Sequence, residues 1–129
     1  MDYGLQPGDT PYEIHSSPDV FDATAKALTA GTRSYGLLGI YRESQEGKQL
    51  DFKRLLPDRA LWKAGDGLYT HKDKVGNTAW AYYVSGQGVP LWMAKRGAGQ
   101  QARSVGQDQD DPADQDFIER GYNLRESKQ

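Results

Sequence analysis

Residues 17–31 read SPDVFDATAKALTAG and contain the start, the buried face and the end of a helix. The Ser17 hydroxyl can accept a hydrogen bond from a free amide of the first turn, and Pro18 suits the first helical position. Gly31 predicts the end of the helix. The apolar residues recur at helical spacing and share one face: Phe21, Ala25 and Leu28.

Three further segments carry similar helical signals. Residues 34–46 form a candidate helix in which Gly36 and Gly39 are weak points. Residues 90–104 follow a proline, and a last helix begins with Asp111 as its cap and Pro112 in its first position. Gly121 is expected to end that helix. In the first of these helices we expect three residues to share the inward face: Leu37, Ile40 and Tyr41.

The middle of the chain has a different character. Residues 50–76 combine short apolar runs with Gly and Asp turns, which is typical of short strands. Periodicity does not decide between helix and strand at 78–85. The sequence therefore predicts a mainly α (α+β) fold: a single compact domain over 1–129, with four to five helices and a small irregular β element at about 50–76. Residues 1–16 are expected to form an extended arm, and 125–129 a frayed tail.

Composition limits the chemistry. The chain has 129 residues, a net charge of −2 and no cysteine, which excludes disulfides, thiolate catalysis and Cys-ligated zinc. No metal-ligand spacing is present, so we expect neither a metal nor a cofactor. No apolar run reaches the ~18 residues of a membrane span, and no signal peptide is visible. The acidic balance argues weakly against long polyanionic substrates.

Three segments occur in a distinctive order: residues 46–53 (EGKQLDFK), residues 69–77 (YTHKDKVGN) running on to 83–86 (YVSG), and residues 96–101 (RGAGQQ) followed by 110–115 (DDPADQ). Each contains turn residues found in many proteins. Their order and spacing together resemble the bacterial toxin type 44 family of polymorphic toxins. The resemblance covers about residues 34–124.

This resemblance implies an antibacterial effector used in interbacterial competition, carried by a larger secreted protein or a component of a type VI or related secretion system. It also implies a cognate immunity protein. We expect delivery into the target bacterium, with the periplasm favoured over the cytoplasm. Many family members have a histidine where this chain has Ala79. Either that histidine is dispensable, or His71 replaces it, or this chain is an inactivated variant.

Four residues are candidates for catalysis. Asp51 and Lys53 alternate on an expected strand, so their side chains would share a face. They could bind a polar substrate, or they could form a surface ion pair of little energetic value. His71 is the best placed imidazole, although a histidine in a loop is commonly only solvated. Asp73 is the first choice for a carboxylate base or nucleophile, and Lys53 for stabilising substrate charge.

Candidate substrate-binding residues lie in the same segments and further along the chain. Asn77 could present its amide to a substrate or cap the following helix. Asp114 could present its carboxylate to a substrate, although its place at a helix start is the first explanation for it. We expect the four catalytic candidates and Asn77 to line one cleft with their side chains: Asp51, Lys53, His71, Asp73 and Asn77. The full set of substrate-binding candidates is Asn77, Tyr83, Gln101 and Asp114.

Three functions fit these observations. The first, narrowly favoured, is a hydrolase of the glycoside hydrolase or muramidase kind that cleaves peptidoglycan, a reaction that requires a protonatable carboxylic acid such as Glu43. The second is a cytoplasmic ribonuclease, in which lysines and arginines would stabilise charge near the scissile phosphate. The third is a catalytically inactive variant or binding domain.

Overall fold

Helices dominate the chain, as the capping and periodicity signals indicate. A computed structural model describes residues 13–65, 68–104 and 112–126, and the description below covers these. The predicted mainly α, α+β class is confirmed. The elements are β1 (Glu13–His15), α1 (Pro18–Thr29), α2 (Leu37–Glu43), a 3₁₀ helix (Phe52–Leu55), β2 (Ala60–Gly65), β3 (Leu68–Thr70), α3 (Lys72–Gly86), α4 (Leu91–Ser104) and α5 (Pro112–Glu126).

Helix α1 follows its sequence signals closely. The Ser17 hydroxyl accepts a hydrogen bond from the Asp19 amide at 3.2 Å, and Pro18 occupies the first position. Phe21 and Ala25 are fully buried, which confirms the predicted inward face. The chain leaves the helix through Gly31, whose φ of +75° is a conformation that favours glycine.

The sheet has the order β1-β2-β3 and is small. Strand β1 pairs parallel with β2, and β2 pairs antiparallel with β3. Alternate residues of β2 are buried, beginning with Ala60, and the His15 ring of β1 stacks on the Trp62 ring at 4.9 Å. Glu13–His15, within the predicted extended arm over 1–16, is extended and pairs with β2 as a strand, a pairing that the sequence did not indicate.

Helix α3 settles the ambiguity at 78–85, because this segment is helical throughout. It is buried on several sides, so its sequence has little helical periodicity. The Thr78 hydroxyl donates to the carbonyl of Phe117 in α5 at 3.0 Å. At Gly121 of α5, a Cβ atom would overlap the carbonyl oxygen of Thr78. The two helices therefore cross at a contact that only glycine allows.

Helix α5 is also anchored to the opposite side of the core. The Arg120 guanidinium donates to the Asp22 carboxylate of α1 at 2.8 Å and to the carbonyl of Ala64 in β2. It also lies over the Phe21 ring. This side chain joins α5, α1 and β2.

Several predicted boundaries were wrong. Helix α2 covers Leu37–Glu43 rather than 34–46, and of its predicted inward residues only Ile40 is buried. The segment Phe52–Leu55 is a 3₁₀ helix rather than a strand. Gly121 does not end α5, which continues to Glu126, because that glycine serves the contact with α3. The expected cap Asp111 lies outside the described residues.

The predicted positions of two other helices agree with the structure. Helix α4 spans Leu91–Ser104, close to the predicted 90–104, and α5 begins at Pro112 as expected. Within the ranges given above, no helix is long and apolar enough to cross a membrane.

Candidate functional site

The start of helix α3 holds the candidate site. Strand β3 ends at the buried Thr70 and brings His71 to the position just before the helix. His71 is 6% exposed, so the solvated loop histidine that the sequence allowed is not what forms. The ring does not cap α3. Instead, its Nε2 atom lies 3.0 Å from the main-chain carbonyl oxygen of Asp58.

The other ring nitrogen of His71 is the unusual atom of this site. Nδ1 is buried and makes no hydrogen bond with any part of the chain that the structure describes. The Oδ2 atom of Asp73 lies 3.6 Å away, which is too long for a hydrogen bond. The Asp73 side chain is half-exposed. A buried imidazole nitrogen thus faces a carboxylate that solvent can reach.

The Asp58 side chain forms a second contact with the same end of α3. The Lys72 ammonium group, on the first residue of the helix, donates to Oδ1 of Asp58. This hydrogen bond and the charge of Lys72 lower the pKa of the Asp58 carboxyl below its ordinary value of 3.8. The Asp58 carboxylate is therefore held as an ion. Sequence reasoning named neither residue: Asp58 lies outside every motif segment, and Lys72, although inside the segment 69–77, was not selected as a candidate.

Asp51 and Lys53 form a close ion pair, with Nζ 2.7 Å from Oδ1. The predicted reason, alternation along a strand, is wrong, because Asp51 immediately precedes the 3₁₀ helix that contains Lys53. The second carboxylate oxygen of Asp51 accepts a hydrogen bond from the Gly47 amide at 2.8 Å. Asp51 is buried, so this pair differs from the solvated surface pair that the sequence allowed.

Gly76 brings the Asp51–Lys53 pair close to α3. A Cβ atom on Gly76 would lie 3.0 Å from both the backbone nitrogen and the Cβ of Lys53. Asp73 and Asn77 are four residues apart in α3 and therefore share a face, and Gly76 is three residues after Asp73. The structure therefore places Lys53 against the turn of α3 that carries Asp73 and Asn77. That the side chains of Asp51, Lys53, His71, Asp73 and Asn77 line a single cleft stays a prediction.

Tyr83 lies away from this group. It is about 18 Å further along α3 than His71, at 1.5 Å per residue. Its hydroxyl donates to the carbonyl of Arg33 at 3.1 Å and accepts from the Tyr35 amide at 3.2 Å. Burial raises the pKa of this hydroxyl above 10.0. These contacts give Tyr83 a structural role, and the structure does not bring it to His71.

Three candidate positions remain: Ala79, Gln101 and Asp114. Ala79 is fully buried in the hydrophobic core. Gln101 lies in α4 and Asp114 in the first turn of α5, and the side chains of both are outside the described residues. Among the side chains that the structure does describe, no group of three or more His, Asp or Glu could hold a metal ion.

Comparisons with protein-family models, with curated proteins and with solved structures gave no significant match. The assignment to the type 44 toxins therefore continues as a proposal that rests on the motifs of the sequence.

Proposed function

We propose that this chain is an antibacterial toxin domain with hydrolytic activity, in which His71 and Asp73 move the proton. The observation that carries this proposal is the buried Nδ1 atom of His71, which has no hydrogen-bond partner in the described chain and lies 3.6 Å from the Asp73 carboxylate. Buried polar atoms are rarely left without a partner, and the exceptions concentrate at functional sites.

The geometry suits activation of an attacking hydroxyl. A carbonyl oxygen only accepts hydrogen bonds, so the Nε2 atom that faces Asp58 must carry its proton, and in a neutral ring Nδ1 has the lone pair. One water molecule has two protons and could donate to both Nδ1 and the Asp73 carboxylate, whereas a substrate hydroxyl, with one proton, could donate to Nδ1 alone. Transfer of its proton to Nδ1 would generate the nucleophile, and the imidazolium would form beside a carboxylate that stabilises it.

RNA is the substrate class that this site supports best. The group able to exchange a proton near neutral pH is an imidazole. The Asp58 carboxylate is held as an ion by Lys72, and Asp51 is paired with Lys53 at 2.7 Å, whereas glycan cleavage requires a carboxylic acid that keeps its proton. The backbone and Cβ of Lys53 lie against Gly76 of α3, and its ammonium group, paired with Asp51, is a cation that could stabilise charge on a phosphate. The attacking hydroxyl would then be a ribose 2′-hydroxyl or water.

Peptidoglycan, narrowly favoured on sequence, becomes the second candidate. One observation supports it: the Asp73 carboxylate is half-exposed beside His71 and has the carboxylate chemistry that glycan cleavage uses. The catalytically inactive or binding-domain alternative also persists, because Ala79 occupies the position of the family histidine.

Delivery follows from the family resemblance and is proposed with it. The domain would be carried by a larger secreted protein or secretion-system component, of type VI or a related kind, and neutralised by a cognate immunity protein. Action on RNA places the target in the cytoplasm of the rival cell, whereas action on peptidoglycan places it in the periplasm, the compartment that the sequence favoured.

The test combines purified protein with expression in bacteria. The wild-type chain is incubated with total RNA and, separately, with peptidoglycan sacculi, and it is expressed with and without a secretion signal. We expect RNA cleavage and killing from the cytoplasm. Replacing His71 by Ala or Asp73 by Asn should lower cleavage by about 10²–10⁴-fold. His15→Ala, at the other histidine of the chain, is the matched control and should retain activity.

Each result decides between the candidates. Cleavage of sacculi and killing only with the secretion signal would establish the peptidoglycan alternative. No cleavage of either substrate by the wild-type chain would favour the inactive or binding-domain alternative. Full activity of folded His71→Ala would remove His71 from the mechanism.

A further inference from the structure

Asp58 is attached twice to the start of α3. Its main-chain carbonyl lies 3.0 Å from Nε2 of His71, and its side chain is bound by the ammonium group of Lys72, the next residue. The turn that holds Asp58 is restrained at both ends. Pro57 has a fixed φ on one side, and β2 begins at the fully buried Ala60 on the other.

The carbonyl of Asp58 determines which nitrogen of His71 can act. Since it accepts the Nε2 proton, it selects the tautomer in which Nδ1 carries the lone pair. Nδ1 is also the nitrogen that faces the Asp73 carboxylate. If the Asp58 carbonyl moved away, Nε2 would lose the partner that fixes its proton. The ring would then be free to rotate or to exchange tautomers.

We infer that Asp58 and Lys72 are positioning residues for His71: the Asp58 carbonyl fixes the imidazole tautomer and orientation, and the Lys72–Asp58 pair holds that carbonyl in place. This inference rests on the proposed function for its catalytic consequence. The arrangement itself can be measured without any substrate.

Charge and exposure define what the pair contributes. The lowered pKa of the Asp58 carboxyl keeps this group ionised at neutral and mildly acidic pH, so that it can stay paired with the Lys72 ammonium group. The Asp58 side chain is largely exposed, and ion pairs of that kind add little to the free energy of unfolding. Removing the pair should therefore alter the site without unfolding the protein, which separates positioning from general stability.

The experiment follows the ring nitrogens of His71 by ¹⁵N NMR in the full chain. In the wild-type protein we expect Nε2 to carry a proton that exchanges slowly. Lys72→Met and Asp58→Asn should accelerate the exchange several-fold and populate the second tautomer, at an unchanged melting temperature. Lys72→Arg, which keeps the charge and a donor, should restore the wild-type signals.

The Lys95–Glu119 ion pair provides a matched control. Lys95→Met breaks the Lys95–Glu119 ion pair between α4 and α5, which is also partly exposed. It should leave the His71 signals unchanged. If the wild-type ring carries its proton on Nδ1, or if Lys72→Met and Asp58→Asn leave the His71 signals as in the wild type, the inference is overturned.

The catalytic consequence of the inference is measured separately, by enzyme kinetics. With the RNA assay, Lys72→Met should lower kcat several-fold with little change in KM, because it affects the reacting nitrogen rather than substrate binding. Absence of RNA cleavage by the wild-type chain would refute the proposed substrate while leaving the NMR result to decide the positioning. Normal cleavage together with altered NMR signals would show that the tautomer is not needed for catalysis and would overturn the catalytic consequence.

Discussion

Helices α2 and α3 both contain glycines and large apolar residues, but they occupy opposite environments. Most of α3 is buried, and its polar side chains form specific bonds across the core, such as that from Thr78 to Phe117. Helix α2 buries one side and presents Leu37, Leu38 and Tyr41 to solvent. Apolar composition therefore does not determine burial in this chain. Burial is determined by which neighbours the backbone can approach, and the glycines of α3 and α5 allow the closest approach.

The crossing of α3 and α5 gives the largest expected effect. Gly121→Ala places a Cβ atom onto the Thr78 carbonyl oxygen, and the nearby Thr78 Cα at 3.0 Å leaves no room for a small shift. We expect a loss of about 3 kcal/mol or more of the free energy of unfolding. Urea denaturation monitored by circular dichroism measures it.

Gly97 provides the control for this prediction. It is also inside a helix, α4, but among the described residues a Cβ atom there would meet the Trp80 ring alone, at 3.9 Å. Gly97→Ala should be neutral or stabilise by up to about 1 kcal/mol through helix propensity. Equal behaviour of the two variants would show that the α3–α5 crossing is not as close as described.

The second effect concerns Ala79, in the middle of α3. Because this residue is fully buried in the core, Ala79→His must insert a larger, polar ring into a packed region. We expect destabilisation by about 1–3 kcal/mol from overpacking, with the cost of burying ring nitrogens added to it. The measurement is the urea midpoint together with cleavage activity per folded molecule.

The exposed Ala27 of α1 is a suitable control, since Ala27→His there should change stability by no more than about 0.5 kcal/mol. A stable Ala79→His protein with raised toxicity would show instead that the position belongs to a catalytic site, as in the toxins that carry histidine there.

The sequence was informative where the signals are local. The cap, proline and apolar face of α1 all lie within twelve residues, and the structure confirms them. The sequence also selected His71 and Asp73 as candidates, and the structure places them at the start of α3, but that they form a site stays a prediction. The sequence did not determine whether residues 78–85 form a helix or a strand, because a helix buried on several sides lacks the periodicity that identifies an amphipathic helix.

Non-local contacts explain what could not be predicted. Gly121 looks like a helix end in sequence, but its role depends on Thr78, far away along the chain. The contact between His71 and Asp58 uses a main-chain carbonyl, so the identity of the side chain gives no signal for it. Asp51 and Lys53 were paired correctly for the wrong reason, because a 3₁₀ helix rather than a strand brings them together.

The third effect tests the link between α3 and the segment before α2. Tyr83→Phe removes the hydroxyl that bonds to Arg33 and Tyr35, which should cost about 1–2 kcal/mol. The pKa of this hydroxyl is raised by burial, so its contribution is fully present below pH 10 and is lost as the pH rises through the raised pKa. Unfolding curves at pH 8 and above pH 10 should therefore show a difference between wild type and Tyr83→Phe that shrinks at the higher pH. A constant difference would mean that the hydroxyl ionises equally in the folded and unfolded chains.

The smallest effect is expected on the outer face of α2. Successive residues of an α-helix are rotated by about 100°, so residues 37, 38 and 41 fall within about 100° of one another and Ile40 falls outside that arc. Leu38 is 84% exposed and Ile40 only 7%. Leu38→Lys should therefore change the free energy of unfolding by less than about 0.5 kcal/mol. Ile40→Ala, two residues away on the same short helix, should cost about 2 kcal/mol or more. Both are measured from urea midpoints. A cost for Leu38→Lys close to that of Ile40→Ala would mean that Leu38 is packed in the native protein, and the contrast between α2 and α3 would then not hold.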